Sequence, residues 1–231
     1  MRIALVDDHA VVREGYRALF TRQSDMEVTA EFGDATSAYA GLRDRPIDVI
    51  VMDINMPGGG AFETLVKLHR RHPTLASLVF TMYAKASFAR QAFAAGARGY
   101  VTKSSEPDTL LRALREVYAG RRYLSPDVAQ LLAWERFGHE HGALDALSTR
   151  EFEVLRMLLD GRDVDAIAGS LNLSPKTVRN LHYAVKRKLG VRDDIELVRL
   201  AVRLDVIDLL ELADEHVAGS GDPRQPVSRT D

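Results

Sequence analysis

Five polar residues stand at the ends of apolar runs, where they could do chemistry together. Asp7 and Asp8 follow Ile3-Val6, Asp53 follows Val49-Met52, Thr81 lies near the end of Leu78-Met82, and Lys103 comes just past Gly99-Thr102. Carboxylates crowded into one pocket repel each other unless a cation joins them. A hard divalent ion with oxygen ligands, Mg²⁺ above all, resolves that conflict. Thr81 adds a hydroxyl donor and Lys103 a mobile ammonium, the groups that an incoming phosphoryl oxygen needs. Any one of these acids alone could be a helix cap; the whole set at this spacing points to chemistry.

The elements that must position them can be read from periodicity. The apolar runs, with Val28-Phe32, predict five short strands. Between them, helical spacing covers residues near 10–22, 35–43, 61–72, 86–95 and 106–119. Strict alternation of strand and helix requires crossovers, so residues 1–120 are expected to form a doubly wound, five-stranded parallel α/β sheet. Ligands in such sheets sit beyond the carboxyl ends of the strands, at the switch in strand order. Four of the strand ends would bring the five residues to that place.

After Gly120 the pattern changes. Ser125-Pro126 starts a helix, and Gly138-His139-Glu140-His141-Gly142 reads as a solvated hinge, so residues 121–146 form a helix and linker. Residues 147–212 read as a small all-α domain of four helices, and the polar tail 213–231 is expected to be disordered. Ser148 with Glu151 makes a capping box for the first of these helices, and Ser174-Pro175 opens the third.

The chain has 31 Lys+Arg against 33 Asp+Glu and no cysteine. Thiolate metal sites, disulfides and cysteine nucleophiles are therefore excluded. The early acids leave no signal-peptide core and no apolar run reaches membrane-spanning length, so a cytoplasmic protein with no membrane partner is expected. Near-neutrality hides a local imbalance. Residues 172–192 carry six basic residues and no acid, whereas residues 193–215 carry eight acids and two arginines. A short helix, a tight turn and a basic helix make a helix-turn-helix, whose second helix enters the DNA major groove. Helical spacing puts Lys176, Arg179, Asn180 and Tyr183 on one face. Thr177, Arg179 and Asn180 suit base edges; Lys176, Lys186, Arg187 and Lys188 suit phosphates.

Two resemblances follow. Ala4-Leu5-Val6-Asp7-Asp8-His9, Val51-Met52-Asp53-Ile54-Asn55-Met56-Pro57-Gly58 and Gly96-Ala97-Arg98-Gly99-Tyr100-Val101-Thr102-Lys103 resemble the flavodoxin-like receiver domain of bacterial two-component response regulators. The segments Leu147-Ser148-Thr149-Arg150-Glu151, Thr177-Val178-Arg179-Asn180 and Lys188-Leu189-Gly190-Val191 resemble the LuxR-type DNA-binding domain. Together they are similar to the NarL/FixJ class. The first resemblance implies that Asp53 accepts a phosphoryl group from a sensor histidine kinase. It also implies that Asp8, Asp53 and the Asn55 carbonyl bind Mg²⁺ directly while Asp7 acts through water, and that Thr81 and Tyr100 switch the domain. The second implies promoter binding to double-stranded DNA and homodimerisation, on phosphorylation or on DNA, through the last helix, where Ile195, Val198 and Val202 are apolar.

Other readings have specific arguments against them. Phosphoaspartate enzymes of the haloacid dehalogenase type need a second acid two residues beyond the nucleophile, and here that residue is Asn55, which transfers no proton. A phosphorylation-independent regulator would not need the complete acidic set. Two departures from the family pattern carry expectations. Met82, larger than is usual after the switch threonine, is expected to hinder water at the phosphoryl group. Asp163 and Asp165, where relatives often carry other residues, are expected to lower nonspecific DNA affinity. Ser104 replaces a frequent proline.

Overall fold

The computed structural model describes residues 1–43, 45–56, 60–135, 141–204 and 206–207. Strands β1 (Arg2–Val6), β2 (Glu27–Phe32), β3 (Val49–Met52), β4 (Ala76–Thr81) and β5 (Gly99–Thr102) alternate with helices α1 (Ala10–Thr21), α2 (Ala35–Gly41), α3 (Ala61–Arg71), α4 (Ala86–Ala94) and α5 (Pro107–Tyr118). The sequence predicts five strands, but the sheet has six. Its order is β2-β1-β3-β4-β5-β6, all parallel, with β6 (Tyr123–Leu124) added beside β5. Two residues are too few to show a period, so only the neighbouring edge makes them a strand.

The central strands β3 and β4 are buried along their whole length, as their unbroken apolar runs require when helices cover both faces. Alternate residues serve opposite layers. Ile3, Leu5, Val49, Val51, Leu78 and Phe80 pack under α1 and α5 with Phe20, Leu110 and Leu114. Ala4, Val6, Ile50, Met52, Val79 and Tyr100 face α2, α3 and α4 with Leu65 and Phe88.

Beyond β6 come α6 (Pro126–Glu135), a 3₁₀ turn (His141–Ala146), α7 (Thr149–Leu159), α8 (Val164–Leu171), α9 (Pro175–Leu189) and α10 (Asp194–Arg203). The sequence signals act as read. Ser148 and Glu151 complete a capping box, Ser174 caps α9 with Pro175 at its first position, and Gly190 ends α9 at φ 69°. Residues 138–140 of the expected hinge lie outside the described residues, and His141 and Gly142 open the 3₁₀ turn. The last helix ends at Arg203 with Leu204 as its cap, short of the expected continuation past Leu204, and residues 208–231, with the expected tail, lie outside the described residues.

The two halves are docked. Phe152 of α7 is fully buried, its ring edge-on to Phe62 of α3 at 5.8 Å and to Phe88 of α4 at 5.2 Å. Gln91 of α4 donates to the carbonyls of Leu144 and Leu147, and Arg150 pairs with Glu63 at 2.9 Å. One apolar core therefore runs from under the sheet into the C-terminal helices.

Candidate phosphoacceptor pocket and DNA-reading helix

Strand register brings the acids together. Val6 pairs with Met52, so Asp7 and Asp53 leave adjacent strands side by side; Thr81 pairs with Thr102, which sets Lys103 one residue beyond. Because β1 lies between β2 and β3, the reversal of strand order falls at the acids. Asp7 and Asp53 are buried, and Lys103 Nζ lies 2.6 Å from an oxygen of each. Burial alone would lower the Lys103 pKa, but its hydrogen bonds to Asp53 and Asp7, with their charges, raise it instead. The ammonium thus does in this structure what a metal ion could do, neutralising two buried carboxylates.

The donor set fits a hard cation. Asp7, Asp8 and His9 each offer an atom within 4.8 Å of the others'. One Asp8 oxygen is shielded from solvent and accepts no hydrogen bond, its nearest base being the His9 imidazole at 3.0 Å. Asp53 keeps one oxygen on the Asn55 backbone N–H at 2.8 Å, which fixes the carboxylate against the β3–α3 loop.

Thr81 and Tyr100 are both fully buried. Tyr100 lies inward, its hydroxyl donating to the Tyr83 carbonyl at 2.7 Å, and burial together with the Asp53 charge pushes its pKa well above the ordinary value. Sequence reasoning missed Tyr83. Its backbone N–H faces the Thr81 hydroxyl at 3.4 Å, its own hydroxyl donates to the Asn55 side chain at 3.0 Å, and its ring stacks on Phe88 at 4.4 Å. Met82 lies just past the end of β4 and is 64% exposed. Arg13 was also missed: its guanidinium donates to the Asp7 carbonyl and pairs with Glu31. No periodicity marks either residue; their roles follow from the packing of α1 and α4 on the sheet.

In the C-terminal half, Val178 and Val185 anchor α9 in the core, and Lys176, Arg179, Asn180, Tyr183 and Arg187 project outward. Thr177 is half-buried and its hydroxyl meets the Ser174 cap at 2.8 Å. Two of the expected phosphate contacts already have acidic partners. Lys186 binds Asp194 at 2.9 Å, which also meets His182, and Lys188 binds Glu151 of the capping box at 2.6 Å. Asp163 caps α8 through the Ala166 N–H, a local structural duty. On α10, Leu197 and Ala201 are buried, while Ile195 is 66% and Val198 40% exposed and Val202 is half-buried. Docking on the receiver leaves the outward face of α9 open.

Comparison with known proteins agrees with this division. Residues 3–115 match the response regulator receiver domain, and residues 145–201 match the bacterial regulatory proteins of the luxR family. Response regulator GacA of Pseudomonas viridiflava is 35% identical over 210 residues, 90% of this chain and 98% of that protein. The chain belongs to the response regulators. UvrY of Escherichia coli, another response regulator, is 34% identical over 205 residues, 88% of this chain and 94% of its own. RcsB of Salmonella enterica serovar Typhimurium, solved on promoter P1flhDC with the phosphomimetic BeF₃⁻, superposes with a TM-score of 0.70 at 29% identity, covering 90% of this regulator and 99% of RcsB. This regulator is thus a receiver joined to a LuxR-type DNA-binding domain. Among its described residues no helix is long and apolar enough to cross a membrane.

Proposed function

We propose that this regulator is switched by phosphorylation of Asp53 by a sensor kinase and binds promoter DNA through α9, as a dimer paired through α10. The observation that carries it is the buried Asp53 carboxylate held beside Lys103, at the strand-order switch, on a chain whose second half presents a basic helix to solvent. Mg²⁺, when bound, would be held by Asp7, Asp8, Asp53 and the Asn55 carbonyl, and it would offset the charge of the incoming phosphoryl group. Lys103 then turns from the carboxylates to a phosphoryl oxygen, and the Thr81 hydroxyl donates to another. Asn55 supplies no proton, so the acyl phosphate persists as a signal rather than turning over as an enzyme intermediate.

Transmission runs along contacts already described. A hydroxyl drawn toward the phosphoryl group leaves the Tyr83 N–H, and Tyr83 is stacked on Phe88, which holds Phe152 of the DNA-binding half. Phosphorylation therefore shifts the balance from docking toward release. Because α9 is open in the docked state, release acts by letting two C-terminal domains reach paired half-sites, not by uncovering the reading face. Labelling of wild type and Asp53→Asn with acetyl phosphate or kinase, followed by genome-wide footprinting, tests this. Equal promoter occupancy by both proteins, with no label on wild type, would refute it.

A further inference from the structure

At the pole of the sheet opposite the acidic pocket, three arginines line an open cleft of about 480 Å³. Arg70 comes from the last turn of α3, Arg98 from the α4–β5 turn and Arg122 from the α5–β6 turn. His69 adds a fourth basic group. It packs so close to Gly96 that a Cβ there would lie 2.9 Å from the imidazole, and Gly96 has φ 100°, so only glycine admits this approach. Arg122 Cζ lies 5.8 Å from the Phe93 ring centroid, a cation on an aromatic face at the cleft.

Basic residues at a helix C-terminus have an ordinary role in complementing its dipole, and that covers His69 and Arg70. It does not explain Arg98 or Arg122, which arrive from separate turns. Among the described residues, none of the three arginines has an ion-pair partner and no carboxylate lines the cleft. Like charges gathered this way repel, and an anion relieves them just as a cation relieves Asp7, Asp8 and Asp53. The planar guanidinium fork matches phosphate oxygens in pairs, better than a lysine does. A concave site of this volume falls within the roughly 300–1,000 Å³ typical of small-molecule pockets, larger than one inorganic phosphate needs.

We propose that the cleft of Arg70, Arg98 and Arg122 binds a nucleotide-sized polyphosphate. The arginines take the phosphates, and Arg122, braced on Phe93, presents a flat cation on which a base can stack. Calorimetric titration of the full chain with ATP and with inorganic tripolyphosphate, in EDTA so that the acidic pocket holds no metal, tests it. Saturable binding is expected in wild type and in Asp53→Asn, weakened at least about tenfold by Arg98→Gln and by Arg122→Gln. Acetyl-phosphate labelling of Asp53 in Mg²⁺ buffer should be unchanged in both arginine variants, showing that the receiver is still folded. Equal affinity for the two probes supports recognition of the phosphates alone, and tighter ATP binding supports added base stacking. Absence of saturable binding by wild type, or binding that survives both substitutions, overturns the proposal. So does a non-promoter duplex that displaces ATP and loses affinity to the same extent in both variants, because the cleft would then belong to the DNA backbone.

Discussion

The acidic pocket and the basic helix handle charge in opposite ways. In the receiver, Asp7, Asp53 and Lys103 are withdrawn from water and neutralise one another within 2.6 Å. On α9, Arg179 and Arg187 project into solvent, while Lys186 and Lys188 near its end have acidic partners. Phosphoryl chemistry needs a low dielectric, where each charge acts strongly and geometry is fixed beforehand. Groove recognition needs the reverse: exposed cations that exchange water and counterions for phosphates and base edges. A charge is costly to disturb in the first region and cheap in the second.

The largest test of that contrast is Lys103→Met. Removing one partner from a buried ion cluster costs about 3–5 kcal/mol, and two carboxylates lose their cation here. Melting of the metal-free protein should fall sharply, and added Mg²⁺ should restore much more stability to the variant than to wild type. An unchanged melting curve would show that the pocket tolerates uncompensated charge.

Phe152→Ala probes the seam between the regions. Truncating a buried phenylalanine costs about 3–5 kcal/mol, and part of that loss falls on docking. Unphosphorylated Phe152→Ala should bind promoter DNA more tightly than wild type, with faster proteolysis between α6 and α7. Wild-type affinity in the variant would mean that the aromatic contact transmits nothing.

On the exposed helix, Arg179→Ala should weaken specific binding by about 1–3 kcal/mol and relax sequence preference. Lys186→Ala should do less than Arg179→Ala, since Asp194 competes with DNA for its ammonium. Equal losses, measured by titration at two salt concentrations, would erase that distinction.

The smallest effect concerns Glu153, a fully buried carboxyl of α7 beside the start of α3. Burial raises its pKa above 4.5, against the opposing pull of Arg156 and nearby backbone N–H groups. The folded chain therefore holds this proton more tightly than the unfolded chain does. Its contribution is full below 4.5 and is lost as pH rises through the raised value. Glu153→Gln should flatten thermal stability over that range and leave the neutral-pH protein at least as stable. Parallel losses in variant and wild type would sink this account.

Much of the molecule was legible in the chain because its signals are local. The five longer strands and the helices follow from periodicities of 2 and 3.6, and Ser148, Ser174 and Gly190 mark helix ends by chemistry within four residues. The acid pocket was legible because strand ends in a parallel sheet can converge only at its carboxyl edge. Tyr83, Arg13 and the short β6 were not, because none has a pattern of its own. What each does depends on a neighbour far along the chain: Asn55 and Phe88 for Tyr83, Asp7 and Glu31 for Arg13, and the edge of β5 for β6.

By itself, then, the sequence determined which groups could accept a phosphoryl group and which could grip DNA, because residue type and period set those roles. Only the tertiary structure decided the pairing of those groups. It gave Lys103 to two carboxylates, Lys186 and Lys188 to acids of their own domain, and Phe152 to the receiver's aromatics. The reason is physical: composition and spacing fix what a side chain can do, but how a charge or ring is satisfied depends on contacts across tens of residues that exist only once the chain has packed.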